Sequence, residues 1–278
     1  MKTIIAATDF SPVATNAVHY ALNMAKENGL SLILFHAYEL PVVYTDVPIN
    51  IPGEEELRKT AEDNLNELKQ NLAHISSEQI KIYTQVSSGN TVTELKAYCK
   101  KINPFAVVMG ALGKSALAQV LFGSTTLDAV RRLQWPVIVV PPGAVYRPVK
   151  KIGLACDFKK VVETIPEKTV DGILDTFKAE MHILNADYNQ KHFTADTPAE
   201  SMMVQTMFEK YNPHYHFIED EDLEKGITRF AEENNIDMII MIPKKHLFPA
   251  TVFHGSSTKK LIFRSHIPVI CVHEEDAQ

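Results

Sequence analysis

The sequence lacks paired cysteines, long apolar runs and an excess of positive charge, and each absence excludes a class of protein. Only three cysteines occur among the 278 residues, without a Cys-x-x-Cys spacing, which argues against a disulfide framework and against a thiolate zinc site. No run approaches the ~18 apolar residues of a membrane-spanning helix. A formal net charge of −6 is not the excess of positive charge that is typical of nucleic-acid-binding proteins.

The N-terminus briefly resembles a secretory leader. Asp9 ends its apolar run, however, before the ~7–15 apolar residues of a leader can form. We therefore expect a soluble, cytoplasmic protein that binds neither membranes nor nucleic acid.

Segments of strand length alternate with helical patterns up to residue 140. The alternation predicts a parallel sheet covered by helices on both faces, without deciding the strand order. Ser11 and Pro12 are typical of a helix start, and Thr91 with Glu94 resembles a capping box. The predicted strands are 3–8, 31–37, 80–86, 105–109 and 135–140, and the predicted helices begin near residues 12, 54, 91 and 124.

The same plan begins again after a linker at 141–148. Asp157 matches Asp9, and Gly255-Ser256 matches Gly123-Ser124, which indicates an internal duplication. We predict two tandem domains, at 1–143 and 149–278, each an α/β domain with a five-stranded parallel sheet flanked by helices. The predicted strands of the second domain are 151–157, 180–186, 215–218, 237–241 and 267–272, and Thr197 with Glu200 is expected to cap a helix.

Glycines cluster between the predicted strand at 105–109 and the helix that follows it. Gly110 and Gly113 permit positive φ and a close approach of main-chain N–H groups to a ligand. Gly123-Ser124 opens a helix whose first N–H groups attract phosphate. The alternative is a pair of ordinary turns.

In the second domain, Ile242 and Lys245 replace the first two glycines, so we expect no ATP there. Lys244, Lys245 and the helix start could still hold a small anion.

The spacing Gly-x2-Gly-x9-Gly-Ser, downstream of a strand ending in Ala7-Thr-Asp-Phe-Ser11, resembles the nucleotide-binding signature of the universal stress protein family, here as a tandem pair. The resemblance implies an adenine nucleotide alpha hydrolase-like fold with strand order 3-2-1-4-5. It implies ATP, accompanied by Mg²⁺, at the carboxyl ends of the central strands. It also implies that the two domains pair through their last strands, 137–140 and 269–272, and it leaves a homodimer open.

The resemblance also assigns roles to single residues. Lys114 either neutralises phosphate charge or is one more solvated lysine. Asp9 either contacts the nucleoside or simply caps the turn after the first strand. The other residues carried over are Ala7, Thr8 and Asp9 near adenine and ribose, Ala37 beside the base, Met109, Gly110 and Gly113 along ribose and phosphates, and Gly123, Ser124 and Thr125 at the phosphate end.

Other candidate chemistry is weaker. Eight of the eleven histidines lie in the second half, and His214 and His216 would share one face of a strand, as a metal pair requires. No cysteine or carboxylate stands at a zinc spacing from them, so we expect no metal site. Met202, Met203 and Met207 are predicted to pack in the core.

We therefore expect an ATP-binding stress-response protein that acts by nucleotide-dependent regulation or through an unidentified protein partner. No catalytic residue is predicted, because no general base stands near the phosphate loop. The alternatives are a nucleotide-independent interaction module or carrier of a small molecule or lipid, and a slow ATP hydrolase.

Overall fold

The computed structural model of the chain describes residues 2–40, 53–111, 123–187, 189, 193–243 and 265–274. The chain divides into two compact units, Met1–Trp135 and Pro136–Gln278. In the part of the chain that the structure describes, no helix is both long and apolar enough to cross a membrane.

The first unit is a parallel sheet with the strand order β3-β2-β1-β4. The central strand β1 is apolar, and Ile4 and Ile5 are fully buried in it; burying each such side chain contributes roughly 1.5–3 kcal/mol. The elements in chain order are β1 (Thr3–Ala7), α1 (Pro12–Glu27), β2 (Ser31–Tyr38), α2 (Glu54–Ile75), β3 (Ile82–Ser88), α3 (Thr91–Ile102), β4 (Ala106–Gly110) and α4 (Ser124–Arg132).

The second unit repeats this plan and adds one strand. Its parallel strands have the order β8-β7-β6-β9-β10. Its elements are β5 (Val137–Val140), β6 (Lys151–Ala155), α5 (Val161–Thr164), α6 (Glu167–Phe177), β7 (Glu180–Ala186), α7 (Thr197–Met207), β8 (His214–Ile218), α8 (Leu223–Glu233), β9 (Met238–Met241) and β10 (Val269–Cys271).

Strand β5 precedes the linker in sequence but belongs to the second compact unit. It lies antiparallel to β10, with Val139 opposite Val269 and Val137 opposite Cys271. All four residues of β5 are buried. The strand therefore extends the sheet of the second unit beyond β10 by one buried antiparallel strand.

The predicted fold class is confirmed. The second half shows the complete strand order 3-2-1-4-5, and the first unit shows its 3-2-1-4 part. The domain limits 1–143 and 149–278 remain a prediction.

Two predicted helix caps were wrong, because each helix begins one residue after a different N-cap residue from the predicted one. Asn90, and not Thr91, is the N-cap of α3, and its Oδ1 accepts a hydrogen bond from the N–H of Thr93. Asp196 precedes α7 as its N-cap residue. Glu200 instead accepts a hydrogen bond from the N–H of Val161 at the start of α5.

The prediction that the methionines of α7 pack in the core was wrong for two of them. Met202 is 73% exposed and Met203 is 45% exposed. Val204 is the only fully buried residue of α7, so the buried stripe of this helix is too narrow to include them.

Candidate functional site

The turn after β1 is held by a short series of hydrogen bonds. Its side chains act as acceptors: Thr8 Oγ1 accepts from the N–H of Phe10, Asp9 Oδ1 accepts from the N–H of Ser11, and Ser11 Oγ accepts from the N–H of Ala14. Ser11 is thereby the N-cap of α1, as predicted. Phe10 takes a left-handed conformation with φ of 62°, which lets the chain reverse between strand and helix.

Strand β2 supports this turn from the side. The N–H of Thr8 donates to the carbonyl of Phe35 over 2.9 Å. His36 Nδ1 lies 2.8 Å from the carbonyl oxygen of Thr8, so this nitrogen carries the proton and donates. The rings of Phe10 and His36 also pack together, with centroids 4.7 Å apart. The half-buried Asp9 is thus held between β1 and α1.

The end of β4 is tied directly to the start of α4. The N–H of Gly123 donates to the carbonyl of Ala111 over 3.3 Å, and the buried hydroxyl of Thr126 donates to the carbonyl of Gly110 over 2.8 Å. Gly123 is the N-cap and offers no capping side chain. The N–H groups at the start of α4 therefore stand at the carboxyl end of β4, with Ser124 and Thr125 exposed beside them.

Gly110 is required by packing and not by its backbone conformation. It lies in β4 outside the positive-φ region, so the positive φ that glycine permits is not used at this position. A Cβ atom at this position would lie 2.9 Å from both Cγ1 and the carbonyl oxygen of Val13. The glycine therefore allows α1 to approach the end of β4.

These elements bring most of the predicted site together. Because Ala6 is paired with Val108, Ala7 and Asp9 leave β1 next to the point where Met109 and Gly110 end β4. Gly113 and Lys114 lie outside the described residues, as do Lys244, Lys245, Gly255 and Ser256. The assignment of the site residues to a nucleotide remains a prediction.

The second unit contains the same turn with altered side chains. Cys156 Sγ accepts from the N–H of Phe158, Asp157 Oδ1 accepts from the N–H of Lys159, and Phe158 has a φ of 49°. Asn185 donates from Nδ2 to the carbonyl of Cys156 over 2.9 Å, which matches the contact of His36 with Thr8. The turn that carries Asp9 is therefore part of the repeated fold.

The strand registers align the two halves independently of the glycines. Ile4 is paired with Ala106, and Ile152 is paired with Met238. Ala106 is therefore equivalent to Met238. Four residues further along each chain segment, Gly110 is equivalent to Ile242. The half-buried Ile242 thus stands where the first half has its first motif glycine, as the duplication predicted.

Three residues that shape the site were missed as site residues. The sequence predicts Thr126 only as a residue of the helix that begins near residue 124. It predicts Phe10 and His36 only as residues at the ends of strands. The signal for Thr126 was its position three residues after Gly123, where a hydroxyl can reach back to the preceding strand. Nothing in the sequence indicated the contact of His36 with Thr8, because it depends on the pairing of β1 with β2.

Comparison with known proteins identifies the family. The profile of the Universal stress protein family matches twice, over residues 1–141 and 149–273. The chain belongs to the universal stress protein family. The repeated match agrees with the duplicated turn and with the equivalent strand registers of the two halves.

The chain is also similar to individual proteins. Universal stress protein MJ0531 of Methanocaldococcus jannaschii is 27% identical over 146 residues, which cover 50% of this chain and 81% of that protein. The structure of a universal stress protein from Archaeoglobus fulgidus is 18% identical and covers 98% of each chain with a TM-score of 0.74. A universal stress protein in complex with cAMP is 20% identical over 51% of this chain and 98% of that chain, with a TM-score of 0.39.

Proposed function

We propose that the first half of this universal stress protein binds ATP, accompanied by Mg²⁺, and that nucleotide occupancy regulates its binding to a protein partner during stress. The observation that carries the proposal is the junction of β4 with α4. Two hydrogen bonds, Gly123 to Ala111 and Thr126 to Gly110, hold an uncapped helix start at the carboxyl end of β4, the strand next to β1. Open α/β sheets bind ligands at this end.

The chemistry of this junction suits a phosphate chain. The first N–H groups of α4 have no partners within the helix and carry a partial positive charge. The exposed Ser124 and Thr125 add hydroxyl groups that can donate to phosphate oxygens. An anion in this position would receive several donors without a strongly basic side chain.

The turn after β1 would bind the nucleoside. Asp9 uses Oδ1 to accept from the N–H of Ser11, which fixes the carboxylate at the end of β1. A carboxylate so held can accept hydrogen bonds from ribose hydroxyls. The resemblance assigns Asp9, with Ala7, Thr8 and Ala37, to the adenine and ribose end.

Isothermal titration with Mg-ATP tests the proposal. The wild-type chain should bind a single nucleotide, and Asp9→Asn should weaken binding at least about tenfold, which is about 1.4 kcal/mol. Asparagine keeps the oxygen that accepts from Ser11, so the turn should persist. The matched control is Asp157→Asn, at the equivalent turn of the second unit, and it should bind as the wild type does. Absence of ATP binding by the wild type, or equal weakening by both variants, would contradict the proposal.

We propose binding without rapid turnover. The described side chains at the junction are hydroxyls, and the carboxylate of Asp9 is engaged with Ser11, so neither offers a free general base for the attack of water. In a phosphate-release assay, bound ATP should remain intact over many dissociation times. Phosphate release that Asp9→Asn abolishes would support the slow-hydrolase alternative instead.

Three further parts of the proposal concern the whole chain. We propose that the second half binds no nucleotide, because Ile242 replaces Gly110. We propose that the two halves form an intramolecular pair through their last strands, supported by the antiparallel register of β5 on β10. We also propose a cytoplasmic location, because Cys99, Cys156 and Cys271 form no disulfide, which suits a reducing compartment.

A further inference from the structure

Three histidines stack on one face of β7 and β8. His182 is paired in register with His214, and two positions further along Leu184 is paired with His216. The ring centroids of His182 lie 5.1 Å from those of both His214 and His216, with interplanar angles of 29° and 15°. His182 Nδ1 is 2.9 Å from His216 Nε2. We call these three residues the histidine cluster.

The histidine cluster lies partly inside the protein. His182 is only 7% exposed, and its Nε2 is buried without a hydrogen-bond partner. The ring of Phe230 on α8 covers His216, with centroids 4.7 Å apart. Among the residues that the structure describes, no group of three histidine, cysteine or acidic side chains is arranged to hold a metal ion. The three rings of the cluster are stacked on one another instead.

Few charged groups face the histidine cluster. Strand β6 contributes Lys151, and β7 contributes Glu180, whose Oε2 lies 3.7 Å from His182 Nε2. Strand β8 contributes the other two histidines, and the residue of α8 in contact is the uncharged Phe230. Glu180 favours a charged His182, but its side chain is 63% exposed, so solvent weakens its effect.

The hydrogen bond between His182 and His216 depends on protonation. One ring nitrogen must donate and the other must accept, so at least one of the two rings is neutral. When both are protonated, both nitrogens carry hydrogen, the bond is lost, and two positive charges face each other across 2.9 Å. A protonated His214 would add a third charge, stacked on the same ring.

We propose that the histidine cluster makes the attachment of β8 to β7 sensitive to pH, holding the strand at neutral pH and releasing it in mild acid. Among the described strands, β8 is the last in the order of the second unit, and β7 is its partner there. Its release would uncover the edge of β7 and the apolar face of α8 around Phe230. The proposal is independent of nucleotide binding.

The sign of the pH effect follows from proton binding. Burial, followed by the neighbouring His216, His214 and Lys151, lowers the pKa of His182 from 6.5 to about 4. Burial, His214 and Lys151 likewise lower the pKa of His216. A detached β8 would carry the His216 ring into water and would take both histidines of β8 away from His182, so both pKa values would rise toward their ordinary value. The detached state then binds more protons, so the attachment weakens as the pH falls from about 6.5 toward 4.

Hydrogen exchange measured by mass spectrometry on the full chain tests the proposal. Protection factors of peptides covering β8 should fall at least about tenfold between neutral pH and about pH 5, after correction for the intrinsic exchange rate at each pH. Peptides covering β3, the strand at the corresponding place in the first unit, should keep their protection. Equal protection of β8 at the two pH values would overturn the proposal.

Substitutions assign the effect to the histidine cluster. His216→Gln replaces a titratable ring with a neutral amide and should remove most of the pH dependence of β8 protection. Because His216 contacts Phe230, the exposed His214→Gln serves as a second variant that should fold normally and reduce the effect partially. His74→Gln, at an exposed position of α2, is the matched control and should behave as the wild type. If His216→Gln and His214→Gln both retained the full pH effect, the proposal would be wrong.

Discussion

Gly110 combines two roles at one position, since it ends β4 beside the proposed phosphate site and lets α1 pack closely. Its missing Cβ leaves room for the backbone oxygen of Val13, which cannot rotate away. We predict that Gly110→Ala lowers the free energy of unfolding by about 1–3 kcal/mol, the usual cost of overpacking. Urea denaturation followed by circular dichroism measures this loss.

The matched control for Gly110→Ala is a glycine in open space. A Cβ atom at Gly172, in the interior of α6, meets no atom within 4 Å. Gly172→Ala should therefore raise the free energy of unfolding by roughly 0.5–1 kcal/mol, because alanine loses less entropy in a helix. If both alanine variants were neutral, the close approach of α1 would not be the reason for glycine at position 110.

The glycines show what sequence reasoning can and cannot reach for a single residue. The spacing of Gly110 and Gly123 correctly located a strand-to-helix junction. The sequence did not show the packing reason for Gly110, because a glycine needed for positive φ and one needed for packing look the same in a sequence. The distinction depends on Val13, which is 97 residues away in the chain and reaches Gly110 only through the fold.

The end of α3 depends on Asn103, which takes a left-handed conformation with φ of 47°. Its Oδ1 also accepts a hydrogen bond from the indole N–H of Trp135 over 2.8 Å. Asn103→Gly keeps the left-handed conformation and should lose only that bond, about 0.5–1.5 kcal/mol. Asn103→Ala should cost about 1–2 kcal/mol more, because alanine resists positive φ. Thermal unfolding of the two variants gives the difference.

The fluorescence of Trp135, the single tryptophan of the chain, provides a control for this assignment. Both Asn103 variants should alter its emission, since both remove the acceptor of the indole N–H. In a Trp135→Phe background, Asn103→Gly should cost almost nothing, whereas the difference between glycine and alanine should persist. A large cost of Asn103→Gly in that background would mean that the hydrogen bond is not what the substitution removes.

Whole elements were predictable where their signals are local. The bounds predicted for α2 and β7 agree with the structure, Glu54–Ile75 and Glu180–Ala186, because apolar periodicity and flanking breakers define both. Caps were less predictable: Asn90 and Thr91 are adjacent and both can accept from a helix N–H. The membership of β5 in the second unit was beyond local reasoning, because a four-residue apolar run does not reveal its partner strand.

At the scale of the whole molecule, the duplication retains a framework while the site diverges. Both halves preserve the turn after the first strand, including the left-handed Phe10 and Phe158. They also preserve the register between the first and fourth strands. They differ at Gly110 and Ile242. The second half keeps this framework without a glycine at the position, so the close packing that Gly110 allows against Val13 is a feature of the first half, beside the proposed phosphate site.

The proposed pairing of the halves predicts a specific cross-link. Val137 faces Cys271 in the antiparallel pair of β5 with β10, and directly opposed residues in such pairs lie about 4.5–5.5 Å apart between Cα atoms, within the range of a disulfide. Val137→Cys should therefore form a disulfide with Cys271 on treatment with diamide. Thiol counting after denaturation should show the loss of one pair of thiols relative to the untreated variant.

The mobility of the oxidised variant distinguishes pairing within a chain from pairing between chains. An intramolecular pair leaves the protein monomeric on a non-reducing gel, whereas β5 bound to β10 of a second copy gives a covalent dimer. Ile138→Cys is the matched control, because position 138 is opposite Ile270 and its side chain points to the other face of the sheet. It should leave Cys271 reduced. A covalent dimer of Val137→Cys would contradict the intramolecular pair. It would mean that β5 of one copy pairs with β10 of a second copy in the same register.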